Sequence, residues 1–140
     1  MSNAERNKLT MKRFMTCINT NDKILAEELI ASDAEFTTPV SDKPLIGGAG
    51  YLSVVELMRQ SFSDIRWEIV DMAAENDKIA VHWTCSGTHD GNFMNLAPTG
   101  KKFSFSVMNF YYFDADGKII NDVAAQGMFG LLTALDLIKN

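Results

Sequence analysis

Between residues 66 and 126 the chain offers four strand-length stretches separated by little more than turns and one loop, and that run limits the folds open to it. The stretches are 66–75, 78–88, 101–113 and 118–126. "DADGK" joins the last two, with Gly117 able to supply the positive φ of a hairpin bulge. The preceding half reads as helical. Met11, Phe14, Met15 and Ile18 stand at the i, i+3, i+4, i+7 spacing of one helix face within 5–18. "NTND" at 19–22 breaks that helix, and Asp22 is placed to N-cap a short second one running through Ile30. "AEFTTP" reads as a short strand stopped by Pro39. Gly47, Gly48 and Gly50 precede a third helix with Tyr51, Val54, Val55, Met58 and Phe62 on one side. A closing helix has Met128, Leu131, Leu132 and Leu135 as its apolar stripe. Helices first and long antiparallel strands afterwards predict an α+β fold. N-terminal helices packed on a strongly curved sheet would leave a cavity between them, suited to a small, mostly apolar ligand.

The chain's 140 residues read as one domain over 5–140, with the first four given no weight as a remnant of expression cloning. A net charge of −5 argues against nucleic acid as a partner, because phosphate contacts need clustered Lys and Arg. No apolar run approaches the roughly 18 residues of a membrane span, and the N-terminus lacks a signal-peptide core. Cys17 and Cys85 do not make a disulfide framework, so a reduced, cytoplasmic setting is expected.

Both histidines of the chain fall in "HWTCSGTHDGNF", residues 82–93. His82 and Cys85 are three apart on a strand and so point to opposite faces, which leaves no metal site. His82 has two readings: a hydrogen-bonded histidine at the core edge, or an acid/base in the pocket. His89 reads as a loop anchor at the pocket mouth, and Cys85 as a small buried hydrophobe. "GGAG" lacks the Lys-Ser/Thr ending of a phosphate loop and reads as a flexible connection. "FSFSVMNFYYF" is mixed on both faces, and a one-residue slip in the hairpin would exchange them. The register stays open from sequence.

"SFSDIRWEI", "DKIAVHWTCSGTHDGNF", "APTGKK", "DGKI" and "GLL", in that order and spacing, resemble the SnoaL-like polyketide cyclase family. The resemblance implies the nuclear transport factor 2 fold, a cone with a deep pocket, and a homodimer. It also implies ring closure by intramolecular aldol condensation, driven by an aspartate as general acid/base. That aspartate stands three residues before the glycine of "GLL", a position held here by Gly127. Asn121 and Val123 replace the family's usual Glu and Trp, and His82 stands where many relatives have Arg. A one-residue gap would bring Gln126 to the key position, but an amide is no base at pH 7. Asp122 is the only carboxylate on that strand and would need a shifted register to enter the pocket, so it is expected outside. The candidate acid/base is therefore His82, and the candidate pocket residues are Phe14, Trp83, His89, Asn109, Tyr111 and Gln126. Asn109, Tyr111 or Gln126 would orient the ligand or stabilise an oxyanion. No cofactor is called for. Two functions stand side by side: a cyclase, isomerase or hydrolase with displaced catalytic groups, and a binding protein without chemistry.

Overall fold

The computed structural model describes residues 1–38 and 41–138. Helix α1, Asn3–Thr20, starts further upstream than its apolar spacing predicts. Ser2 and Glu5 form a reciprocal capping box, each side chain accepting from the other's backbone N–H at 3.1 and 3.0 Å. The helix ends at Asn21, whose φ of 51° takes the chain into the left-handed region. Its buried stripe is Asn7, Met11, Phe14, Cys17 and Ile18. Asp22 caps α2, Lys23–Leu29, accepting from the Leu25 N–H at 3.0 Å.

Strand β1, Glu35–Thr38, pairs antiparallel with β2, Ser41–Ile46, through Glu35↔Ile46 and Phe36↔Leu45. The proline read as the stop of β1 lies outside the described residues. Strand β2 carries no strand pattern in sequence, because Asp42, Lys43 and Pro44 break its apolar alternation. "GGAG" is not a loop. It is the first turn of α3, Gly47–Ser61, with Gly47 at φ 67° and its N–H bonded to the Ala34 carbonyl at 2.8 Å. Gly48 is buried against α2, and a Cβ there would stand 2.9 Å from the Ala26 carbonyl carbon and oxygen. These glycines let two helices approach.

The main sheet has strand order β3-β4-β5-β6, antiparallel throughout: Arg66–Glu75, Lys78–Thr88, Lys102–Phe113 and Ile119–Ala124. One face meets α1, and its alternate residues Ile79, Val81, Trp83 and Cys85 are buried. Two irregularities interrupt the alternation. In β3 the register shifts between Ile69 and Asp71, leaving Val70 as the extra, exposed residue. In β6 Phe113 pairs with Ile119 while Tyr112 pairs with Asn121, so Ile120 is the residue without a partner. Such a bulge changes which later residues face inward. Ile119 is fully buried, and after the bulge Asp122 and Ala124 share its face.

The closing helix, α4 at Gly127–Ala134, forms as its composition predicts, but buries no residue. Met128, Leu131 and Leu135 are more than half exposed, so among the described residues nothing buries most of the apolar stripe. Gly127 opens it with φ 57°. No helix among the described residues is long and apolar enough to cross a membrane.

Gly48→Ala should lower stability by about 1–3 kcal/mol, because the added methyl meets backbone rather than a movable side chain. Urea titration of the two proteins checks this; an unchanged midpoint would mean that α2 and α3 separate freely.

Candidate functional site

A cavity of about 560 Å³ lies between the inner sheet face, α3 and the β1–β2 hairpin. Its helical wall is Tyr51, Val54, Val55 and Met58, the i, i+3, i+4, i+7 face of α3. Phe36, Leu45 and Ile18 close one side, and Trp67, Phe93 and Met94 another. Phe129 of α4 reaches its edge. The sheet wall holds most of the polar groups: Trp83 on β4, Asn109 and Tyr111 on β5, and Asp122 on β6. Tyr111 and Asp122 are cross-strand partners, which sets phenol and carboxyl side by side.

These groups form a connected wall. The Trp83 indole Nε1 donates to the Tyr111 hydroxyl at 3.1 Å, and the Tyr51 phenol adjoins Tyr111. Asn109 Nδ2 donates to Asp122 Oδ2 at 3.3 Å. Phe14 stands behind the wall, its ring edge-on to Tyr51, Tyr111 and Trp83 at centroid distances of 5.2, 5.7 and 6.3 Å. Being 1% exposed, it supports the lining rings rather than lining the cavity itself.

Burial sets the protonation of this wall. Desolvation raises the Asp122 carboxyl from 3.8 to about 6, against the lowering effect of the Asn109 hydrogen bond. Desolvation, and then the Asp122 charge, push Tyr51 above its ordinary range. Tyr111 rises through desolvation first, with the charges of Tyr51 and Asp122 adding to it. The phenols are therefore neutral donors, while the carboxyl exchanges protons near neutrality.

The sequence-derived candidates divide. Trp83, Asn109 and Tyr111 line the cavity. His82 does not: it alternates with the buried Val81 and Trp83 and lies on the opposite sheet face, its Nε2 3.2 Å from Ser106 Oγ. The pocket acid/base reading of His82 is therefore corrected to a place on the outer face. His89 stands in the loop after β4, its Nδ1 3.1 Å from Thr99 Oγ1 and its ring 5.6 Å from that of Phe62, outside the cavity lining. Gln126 precedes α4 and is likewise absent from the lining, because β6 has ended two residues earlier. Asp122 is the opposite correction. Expected outside, it is brought in by the bulge at Ile120. Tyr51 was legible as part of a helix face, but not as a cavity donor. Cys85 is buried, which raises its thiol to about 11 and leaves it protonated at neutral pH. Among the described residues no three His, Cys, Asp or Glu side chains converge as metal ligands.

The family model described as SnoaL-like polyketide cyclase matches residues 8–135. No curated protein matches the chain. Solved structures of similar fold include TsrD from Streptomyces laurentii, at 18% identity and TM-score 0.76, covering 96% of this chain and 97% of that one. Wild-type IdmH from Streptomyces antibioticus is 24% identical with TM-score 0.72, covering 93% and 98%. A SnoaL-like polyketide cyclase from Agrobacterium tumefaciens is 17% identical with TM-score 0.70, covering 91% and 97%. At these identities the likeness shows a common fold, the SnoaL-like or nuclear transport factor 2-like one.

A carboxyl whose pKa is higher folded than unfolded stabilises the native state below its ordinary pKa, and that contribution is lost as pH rises through the folded value. For Asp122 the window runs from about pH 4 to about pH 6. Asp122→Asn should therefore raise stability at pH 8 by about 1–3 kcal/mol and flatten the profile across that window. Denaturant titrations at pH 4, 6 and 8 check it, and an unchanged profile would mean the carboxyl is well solvated.

Proposed function

Because the chain belongs to the SnoaL-like polyketide cyclase family, we propose that it is an enzyme acting on a small, uncharged, largely apolar carbonyl compound, with Asp122 as its acid/base. The supporting observation is a carboxyl in the cavity wall with its pKa raised to about 6, next to neutral phenols. Asp122 as carboxylate takes a proton from the carbon beside a carbonyl, and the electron pair moves onto the carbonyl oxygen as an enolate. The Tyr51 or Tyr111 hydroxyl donates to that oxygen as its charge develops. In a cyclisation the enolate carbon attacks a second carbonyl of the same molecule, forming one carbon–carbon bond. The resulting alkoxide takes the proton back from Asp122. In an isomerisation the proton returns to a different carbon. Among the described residues none of the lining side chains is Lys, Arg or His, which disfavours an anionic ligand beside an ionised Asp122.

A ligand-binding protein without chemistry is the second reading, favoured by glycine at position 127, where the family's usual aspartate stands. In either reading we place the protein in the cytoplasm, with Cys17 and Cys85 as reduced thiols. We also place a twofold partner on the outer sheet face, where Met108, Phe110 and Val123 are each about half exposed around His82. Sedimentation should give a dimer that Phe110→Glu converts to a monomer; a monomeric wild type removes this assignment.

The chemistry is tested with 2-tetralone, a neutral bicyclic ketone, by following exchange of its α-protons with deuterated water by NMR. The protein should accelerate exchange, with activity rising as pH passes about 6. Asp122→Asn should lower the rate by about 10²–10⁴-fold. If thermal shift reports binding while exchange stays at the buffer rate, the binding-protein reading replaces catalysis.

A further inference from the structure

Helix α4 carries no charge on any side, yet it lies on the surface. No Asp, Glu, Lys, Arg or His stands between Asp122 and Asp136, so covering this stretch dehydrates no ionised group. Helices that are apolar all round are buried in folded proteins, whereas α4 buries no residue. Its attachment is equally slight. The Ala125 N–H donates to the Met108 carbonyl at 3.1 Å and holds the chain on the sheet at the end of β6. Further on, the hydrogen bonds among the described residues stay within the helix and its last turn, as from Leu135 N–H to the Leu131 carbonyl and from Thr133 Oγ1 to the Phe129 carbonyl. Gly127 stands between the tether and the helix. No atom lies within 4 Å of the place a Cβ would take there, so the backbone can turn without collision.

The surface within reach of the helix is the cavity mouth. Phe129, one position off the stripe of Met128, Leu131, Leu132 and Leu135, lines the cavity together with Met94. Met94 belongs to a tight turn in which Phe93 and Leu96 exchange backbone hydrogen bonds at 2.9 and 2.8 Å. Both central residues of that turn, Met94 and Asn95, take positive φ, 48° and 68°. The turn holds the Met94 and Leu96 side chains outward, each more than half exposed. One opening is thus flanked by an apolar stripe on a hinged helix and by an apolar rim on a fixed turn.

We propose that α4 is a lid: with an apolar occupant in the cavity, the helix turns about Gln126 and Gly127, lays its leucine stripe over the occupant and the Met94–Leu96 rim, and closes the mouth with Phe129. This goes beyond the chemistry assigned to the cavity and holds for a catalyst and for a binding protein alike. The occupant completes the apolar surface on which the helix seats, so binding and closure are linked, and whatever holds the lid down slows the ligand's escape. Enclosure also keeps water away from Asp122.

The test uses 2-tetralone, with uptake read from the fluorescence of Trp67 and Trp83 in the cavity wall. Hydrogen exchange of the amides of 128–137, followed by mass spectrometry, should be fast in the free protein and at least about tenfold slower at saturating 2-tetralone. The double variant Leu131→Asp/Leu135→Asp changes two exposed side chains that do not line the cavity, and circular dichroism checks that it folds. It should release 2-tetralone about 10- to 100-fold faster than wild type in stopped-flow displacement and lose the ligand-induced protection. If this variant fails to fold, exchange in the wild type decides alone. Equal exchange of α4 with and without bound 2-tetralone, or an unchanged release rate in the folded variant, would make the helix a fixed wall and overturn the proposal. Slow exchange that follows protein concentration rather than 2-tetralone would give the stripe to a second copy, with the same result. A cavity that takes up no 2-tetralone leaves the lid nothing to close on and also ends the proposal. If α4 closes over 2-tetralone while the exchange of its α-protons stays at the buffer rate, the catalytic reading alone is removed.

Discussion

One unpaired residue in the last strand decides which side chains that strand presents to the cavity. A strand presents alternate side chains to opposite faces, and Ile119 is anchored in the core. Regular pairing from that anchor would turn Asn121 and Val123 inward, a neutral amide and a methyl pair. The bulge at Ile120 reverses the parity, so that Asp122 and Ala124 face the cavity instead. The pairing of Tyr111 with Asp122, the hydrogen bond from Asn109 and the raised carboxyl pKa all follow from that inversion.

The wall is held by packing as much as by hydrogen bonds. Phe14 comes from the first helix and meets three of the lining rings edge-on, so the positions of Tyr51, Tyr111 and Trp83 are tied to the seating of α1 on the sheet. The same crowding strips water from the carboxyl and phenols, which shifts their proton affinities in the direction that keeps them neutral. Rigidity and acid–base tuning thus have a common origin in the aromatic layer behind the cavity.

The architecture was legible because its signals are periodic. Met11, Phe14 and Ile18 mark the buried stripe of α1, Asp22 marks the start of α2, and the four main strands fall close to where alternation and turn residues put them. The SnoaL-like motifs, read together, led to the same fold. The site was legible only in part. Trp83, Asn109 and Tyr111 come from long regular strands and line the cavity. Asp122 also lines it but was not legible, because the bulge is a property of pairing with β5 and leaves no mark in "IINDVA" itself. His82 drew attention through its chemistry, yet its face follows from the neighbours Val81 and Trp83 turning inward. Strand β2 was hidden by Pro44 and its charged neighbours, and the apolar stripe of α4 reads as a core face although none of the described residues buries it.

Gly127 carries a consequence for how the chain enters α4. It occupies a backbone conformation, φ 57°, that side-chain-bearing residues enter reluctantly, although the space around it is open. An acidic side chain placed there would hold the backbone against its preference. The turn into α4 therefore asks for glycine at this position, whatever the space beside it allows.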